Sequence, residues 1–182
     1  MAELRVKSTG TLKLFENDNT SSVTIASPAS LGADRTVTLP DADVNLGSIG
    51  KVLQVITATD STARSTTSTS YATGSNTLAV TITPTSTSNK IFVMMTGTGE
   101  KDTGGVAYYT LYKDASNLGT AQGFCGLQTT GAQLPISMST LDSPSSTSAL
   151  VYQVYFKSSD GNTAYLNNGA YENTITCMEI EG

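Results

Sequence analysis

An all-β fold is what this sequence predicts, and three observations predict it. About 50 of the 182 residues are Ser or Thr, and β-branched Thr suits the pleated, half-wet surface of a sheet. Helix-forming runs of Ala, Leu, Glu and Lys are nearly absent, and no window shows a convincing 3.6-residue period. Short segments alternate apolar with polar residues, and clusters of Gly, Pro, Asn, Asp and Ser punctuate them.

Residues 1–50 carry three short alternating runs: TLKLF with Leu12 and Leu14, SVTIA with Val23 and Ile25, and RTVTLP with Val37 and Leu39. ENDNTSS and SPASLGAD separate them with residues that supply turn hydrogen bonds or unusual backbone angles. Each run is too short and too lean to hold a core alone, so this N-terminal β segment is expected to lean on another domain or on copies of itself. NLGSIGK reads as a joint, which divides the chain into a stem or attachment segment, 1–50, and a head, 51–182.

From KVLQVITATD onward the predicted strands are longer and more apolar. The Ser/Thr-rich tract at 61–77 reads as a polar edge strand with a turn at Gly74 rather than a linker, because it holds Tyr71 and many threonines between two clear strands. TLAVTITP alternates Leu78, Val80 and Ile82, then stops at Pro84, which cannot donate to a central ladder. NKIFVMMTGTG is apolar on both faces, Ile91, Val93 and Met95 against Phe92 and Met94, so both sides must be covered. An aromatic strand, VAYYTLYK, leads into a turn at 114–119. QLPISMSTLD, SALVYQVYF, TAYLNN and NTITCMEIEG complete the series, and Leu150, Tyr152, Val154 and Phe156 form its clearest core stripe. SSDGN reads as a hairpin turn with Asp160-Gly161 at its centre. Eight or nine strands from residue 51 fit an antiparallel sandwich of jelly-roll type.

Composition also excludes functions. A net charge of -5 with only 10 Lys and Arg leaves no basic stripe for nucleic acid. No stretch approaches the apolar length of a membrane span, and no signal segment is visible, so the expectation is a soluble chain made in a cytoplasm, without membrane insertion. With no histidine, Ser-His-Asp and Cys-His arrangements, imidazole metal sites and the usual neutral-pH base are all absent. Cys125 and Cys177 lack metal-ligand spacing and read as small buried hydrophobes, with a bridge between them left open.

Asp41 and Asp43 could be an acid pair, cation ligands or turn residues. Carboxylates two apart on an extended segment face opposite ways, calcium needs six or more oxygens, and Pro40 already sets a turn, so turn chemistry is the preferred reading. GTGEKDTGG lacks the third glycine of a dinucleotide loop and reads as a loop, with Glu100, Lys101 and Asp102 at a solvated tip. Tryptophan is absent, so a sugar platform would draw on Tyr71, Tyr108, Tyr109, Tyr112, Tyr152, Tyr155, Tyr165 or Tyr171. The residues therefore predict no catalytic, metal or cofactor site.

Three phrases, SVTIASPASLGADRTVTLPDADVNLG, KVLQVITATDSTARSTTSTSYATGSNTLAVTITPTSTSNKIFVMMTGTG and NTITCMEIEG, together cover more than half the chain. They resemble virion fibre and tail-fibre-like proteins of tailed bacteriophages, notably marine ones. The resemblance implies a non-enzymatic homotrimer displayed on the virion, with a β-rich stem and a jelly-roll-like head. It implies partners among the other virion proteins, reached through residues 1–50, and contact with a host-surface glycan or protein. A long attachment domain and shaft do not fit in 182 residues, so a short fibre, a spike or a capsid decoration protein fits better. Two rivals stand beside it: a free carbohydrate-binding module, and a polysaccharide depolymerase, for which carboxylates alone would suffice.

Overall fold

The computed structural model describes residues 11–15, 20–26 and 51–182. Contacts divide the chain into two units, Met1–Val44 and Asn45–Gly182. In the first, β1 (Thr11–Phe15) and β2 (Ser22–Ala26) form an antiparallel pair whose register sets Leu12 opposite Ile25 and Leu14 opposite Val23. These are the alternating positions of TLKLF and SVTIA. The third run, RTVTLP, lies outside the described residues, as do Asp41 and Asp43.

The second unit holds eleven strands and no helix among the described residues. They are β3 (Val52–Asp60), β4 (Arg64–Thr66), β5 (Ala79–Ile82), β6 (Lys90–Lys101), β7 (Ala107–Lys113), β8 (Ser116–Asn117), β9 (Cys125–Leu127), β10 (Leu134–Asp142), β11 (Leu150–Ser158), β12 (Ala164–Leu166) and β13 (Asn173–Ile180). Their antiparallel pairing is nested: β3 with β13, β5 with β11, β6 with β10, β7 with β9. A chain paired this way is one long hairpin, and the further pairs β6–β13 and β7–β11 roll it into two sheets. This is the jelly roll.

Register fixes each sheet's layout. On β6, β10 runs along one edge from Ile91 to Gly99. The other edge takes β13 at Lys90–Thr96 and then β12 at Gly99–Lys101. Since β3 lies outside β13 and β4 outside β12, the six-stranded sheet is four strands wide, with two of its positions built from tandem pieces. The second sheet runs β5–β11–β7, with β8 and β9 sharing the outer edge of β7. The eleven strands exceed the eight or nine that alternation predicts, because two- and three-residue pieces such as β8 and β9 are too short to show alternation.

Between the sheets lies the core. All four residues of the Leu150, Tyr152, Val154 and Phe156 stripe are buried, facing Ile91, Val93 and Met95 of β6 and Ile175 and Cys177 of β13. Each large aliphatic residue so buried contributes roughly 1.5–3 kcal/mol. The tract at 61–77 supplies edge strand β4 and a turn with left-handed Gly74 and Ser75, as its residues predict. Its remainder is tied to β11 through Ala72–Phe156 backbone bonds and Ser158 N–H to Ser68 O.

Two local expectations change. SSDGN does not close a hairpin: β11 and β12 belong to different sheets, so 159–163 is a crossover. Only Gly161 is left-handed there, at φ +84°, and the Asp160 carboxylate organises the link by accepting from Ser158 Oγ and from the N–H and side-chain amide of Asn162. Glu100 and Lys101 are not at a solvated tip. Strand β6 continues through Lys101 by pairing with β12, which buries both residues, and the turn begins at exposed Asp102.

The two ends of this unit meet at one pole. Glu181 N–H donates to Lys51 O at 2.9 Å, the Lys51 ammonium lies 3.8 Å from Glu181, and Gly182 N–H donates to Asn89 Oδ1 at 3.2 Å. Connections 102–106 and 159–163 form the opposite pole, since they leave the far ends of β6 and β11 and are joined by Asp102 N–H to Thr163 O and Ser159 N–H to Val106 O.

Candidate functional site

A catalytic group must have its reactive atoms free, and the described part of this chain commits its buried ionisable groups to structure. Glu179, fully buried on β13, accepts from Gln54 Nε2 (2.5 Å), Asn89 Nδ2 (2.6 Å), Thr85 N–H (2.6 Å) and Thr85 Oγ1 (2.8 Å). Burial alone would raise its pKa, but these bonds outweigh burial and hold the carboxyl at about 2. Asp60 binds Arg64 at 2.8 Å and the N–H groups of Thr62 and Thr77 at 2.9 Å, which lowers its pKa against the opposing effect of burial. It thereby pins the break between β3 and β4.

The Lys101 ammonium, without solvent exposure, reaches Thr103 O at 2.7 Å and Asp160 at 3.2 Å. Asp160 is held at about 2, chiefly by the Ser158 hydroxyl. Tyr152 donates to Asp142 at 2.6 Å while Lys113 pairs with the same carboxylate at 2.9 Å, locking β11, β10 and β7 together. Burial first, and then Asp142, push the Tyr152 hydroxyl well above its ordinary pKa. Neither sheet pattern nor motif spacing predicts the Glu179–Asn89, Lys101–Asp160 and Lys113–Asp142 partnerships, because they join residues far apart in the chain.

The tyrosines separate into groups. Tyr109 and Tyr152 lie in the core, and Tyr109 donates to Tyr165 O at 2.7 Å. Tyr108, Tyr112 and Tyr155 lie partly buried on the outer face of the second sheet, joined there by Tyr71. Tyr112 stacks on Tyr155 with centroids 4.0 Å apart, and Tyr71 meets Tyr112 edge-on at 6.2 Å. The Lys157 ammonium sits 4.4 Å from the Tyr71 ring and 5.5 Å from that of Tyr108, and donates to Ala121 O at 2.9 Å. Burial, followed by the neighbouring tyrosines, pushes the Tyr71 hydroxyl up to about 12. Gly123, at φ +77°, lets the 120–124 loop approach so near Tyr109 O and the Tyr71 hydroxyl that no Cβ would fit. These rings pack against their own chain, so a row of open faces for a sugar is not what they form.

The outer face of the first sheet is different. Register places Leu141, Phe92, Met178 and Val55 in one row across β10, β6, β13 and β3. Val55 is 55% exposed and Leu141 51%, and Val52 and Leu53 at the start of β3 are exposed as well. The following rows are hydroxylic: Ser139, Met94, Thr176 and Thr57, then Ser137, Thr96, Thr174 and Thr59. The predicted double apolarity of β6 is therefore real, with Ile91, Val93 and Met95 inside and Phe92 and Met94 half-buried on the outside.

Cys125 on β9 and Cys177 on β13 belong to different sheets and are both free thiols. Burial raises both, Cys177 to about 12. Among the described residues no three Cys, Asp or Glu side chains converge as metal ligands, and no helix is long and apolar enough to cross a membrane.

No family model and no curated protein matches the chain. Among solved structures, a chain of the structure of infectious bursal disease virus, Gt strain, is similar at 11% identity, with a TM-score of 0.29, over 89% of this chain and 48% of that one. The present chain thus spans about half the length of that neighbour.

Proposed function

We propose that the protein is a non-enzymatic structural protein of a tailed-bacteriophage virion: a homotrimeric short fibre, spike or decoration protein. Residues 1–50 attach it to capsid or tail proteins, and the jelly-roll head is displayed on the particle surface. The observation that carries this reading is the polarity of the head. Lys51 and Gly182 meet at one pole, and the crossovers 102–106 and 159–163 gather at the other. Such a domain hangs from one end and presents loops from the other, where surface contacts are made without disturbing the sheets. Three heads per trimer and many trimers per particle turn weak contacts with a host-surface glycan or protein into avid attachment.

The aromatic cluster weighs against a free carbohydrate-binding module, because its ring faces are taken up internally. The commitment of Glu179, Asp60 and Asp160 to structural bonds weighs against a depolymerase. The test is to image labelled protein on intact particles and to measure the mass of the isolated chain by sedimentation. The reading expects label on the particle and three times the single-chain mass. Label confined to the capsid would select decoration over a tail fibre. A stable monomer at micromolar concentration, or release of reducing sugar from host envelope material, would overturn it.

A further inference from the structure

We infer that the bare outer face of the β10–β6–β13–β3 sheet is the surface through which one copy of this chain packs on a second copy. The inference rests on the homomeric assembly proposed above and names its contact surface. Its centre is the row Leu141–Phe92–Met178–Val55; toward the Lys51–Gly182 pole the next row is Lys90–Ile180–Val52, which brings in the exposed Lys90 ammonium. Val52, Val55 and Leu141 are each more than half exposed, at 54%, 55% and 51%.

Two arguments select a second copy as the occupant. The first is charge. The chain carries -5 overall, so two copies repel wherever charged faces meet. Three successive rows of this face hold only apolar and hydroxyl residues, from Leu141–Phe92–Met178–Val55 to Ser137–Thr96–Thr174–Thr59. Two copies can therefore meet on these three rows without bringing like charges together.

The second argument is area. Fully burying an aliphatic side chain removes roughly 60–120 Å² of apolar surface, so these partly exposed residues present roughly 200–300 Å². One side of a standard interface buries about 800 Å², somewhat over half of it apolar, with a dry centre and a polar rim. The patch therefore supplies roughly half or somewhat more of that apolar area, and the Ser and Thr rows beside it supply a polar surround.

The test is sedimentation velocity on the full chain at concentrations from nanomolar to tens of micromolar. Three proteins are compared: wild type, a Val55→Glu/Leu141→Glu double variant, and a Gln122→Glu/Thr147→Glu double variant that adds the same charge at exposed positions outside this face. Near-ultraviolet circular dichroism reports folding. The expected result is an assembled wild type, an assembled control, and a folded V55E/L141E protein whose dissociation constant rises at least 100-fold. If wild type and V55E/L141E are both trimers, the surface is wrong and the trimer stands. If wild type is a dimer that V55E/L141E dissociates, the surface stands and the trimer falls. A monomeric wild type overturns both. Should V55E/L141E not fold, the milder Val55→Ser/Leu141→Ser pair replaces it and must weaken assembly at least tenfold; unchanged assembly overturns the surface.

Discussion

The two outer faces of this sandwich are finished differently. On the β5–β11–β7 sheet the chain covers its own surface: Tyr112 stacks on Tyr155, Tyr71 closes over them, and Lys157 ties the cluster to the 120–124 loop. On the β10–β6–β13–β3 sheet the row containing Val55 and Leu141 is left open. Singly exposed apolar residues are ordinary on any domain, whereas here the exposed ones line up in adjoining rows of one sheet face. The contrast is that one face is covered within the chain, while the other is the face that the proposed assembly would cover.

Both faces share a frame, and the largest expected effect breaks it. Glu179→Gln places an amide N–H₂ among donors from Asn89, Gln54 and Thr85, and should cost about 3 kcal/mol or more in urea unfolding, at any protein concentration. The same group predicts the acid response. Its folded pKa of about 2 lies below the ordinary 4.5, so its stabilisation is complete above pH 4.5 and is lost as pH falls toward 2. Asp160, at about 2 against an ordinary 3.8, acts in the same direction. Melting temperature should fall between pH 4.5 and 2, and less steeply in Glu179→Gln; an equally steep fall in that variant would contradict the assignment.

Next in size is the covered face. Tyr155→Ala removes the ring stacked on Tyr112 and should cost about 2 kcal/mol, independent of protein concentration because no second chain is involved. Lys157→Ala should cost about 1 kcal/mol, through loss of the ring contacts, the bond to Ala121 O and the covering alkyl stem. Chemical denaturation at two protein concentrations checks both. A concentration-dependent loss in either variant would mean that this face is also shared.

Much of the fold is legible in the residues. The alternation of Leu150, Tyr152, Val154 and Phe156 names the core side of β11, and the apolarity of Phe92 and Met94 marks β6 as unusual on its outer side. Illegible were features that depend on partners distant in sequence. Lys101 looks like loop chemistry until β12 pairs with β6 and Asp160 arrives beside its ammonium. SSDGN has the composition of a hairpin turn, yet the flanking strands pair elsewhere, because nested pairing sends β11 and β12 to different sheets. The tyrosines of β7 likewise carry no mark of which face they take until its register with β11 sets Tyr108 opposite Lys157 and Tyr112 opposite Gln153.

The most direct measurement is the rate at which a maleimide labels a Val55→Cys variant as protein concentration is raised, with Gln122→Cys as an exposed reference. The native thiols give a slow background, since burial raises both Cys125 and Cys177. The account predicts that labelling at position 55 slows at least tenfold as the chains assemble, while position 122 keeps its rate. Equal rates at the two positions at every concentration would contradict it.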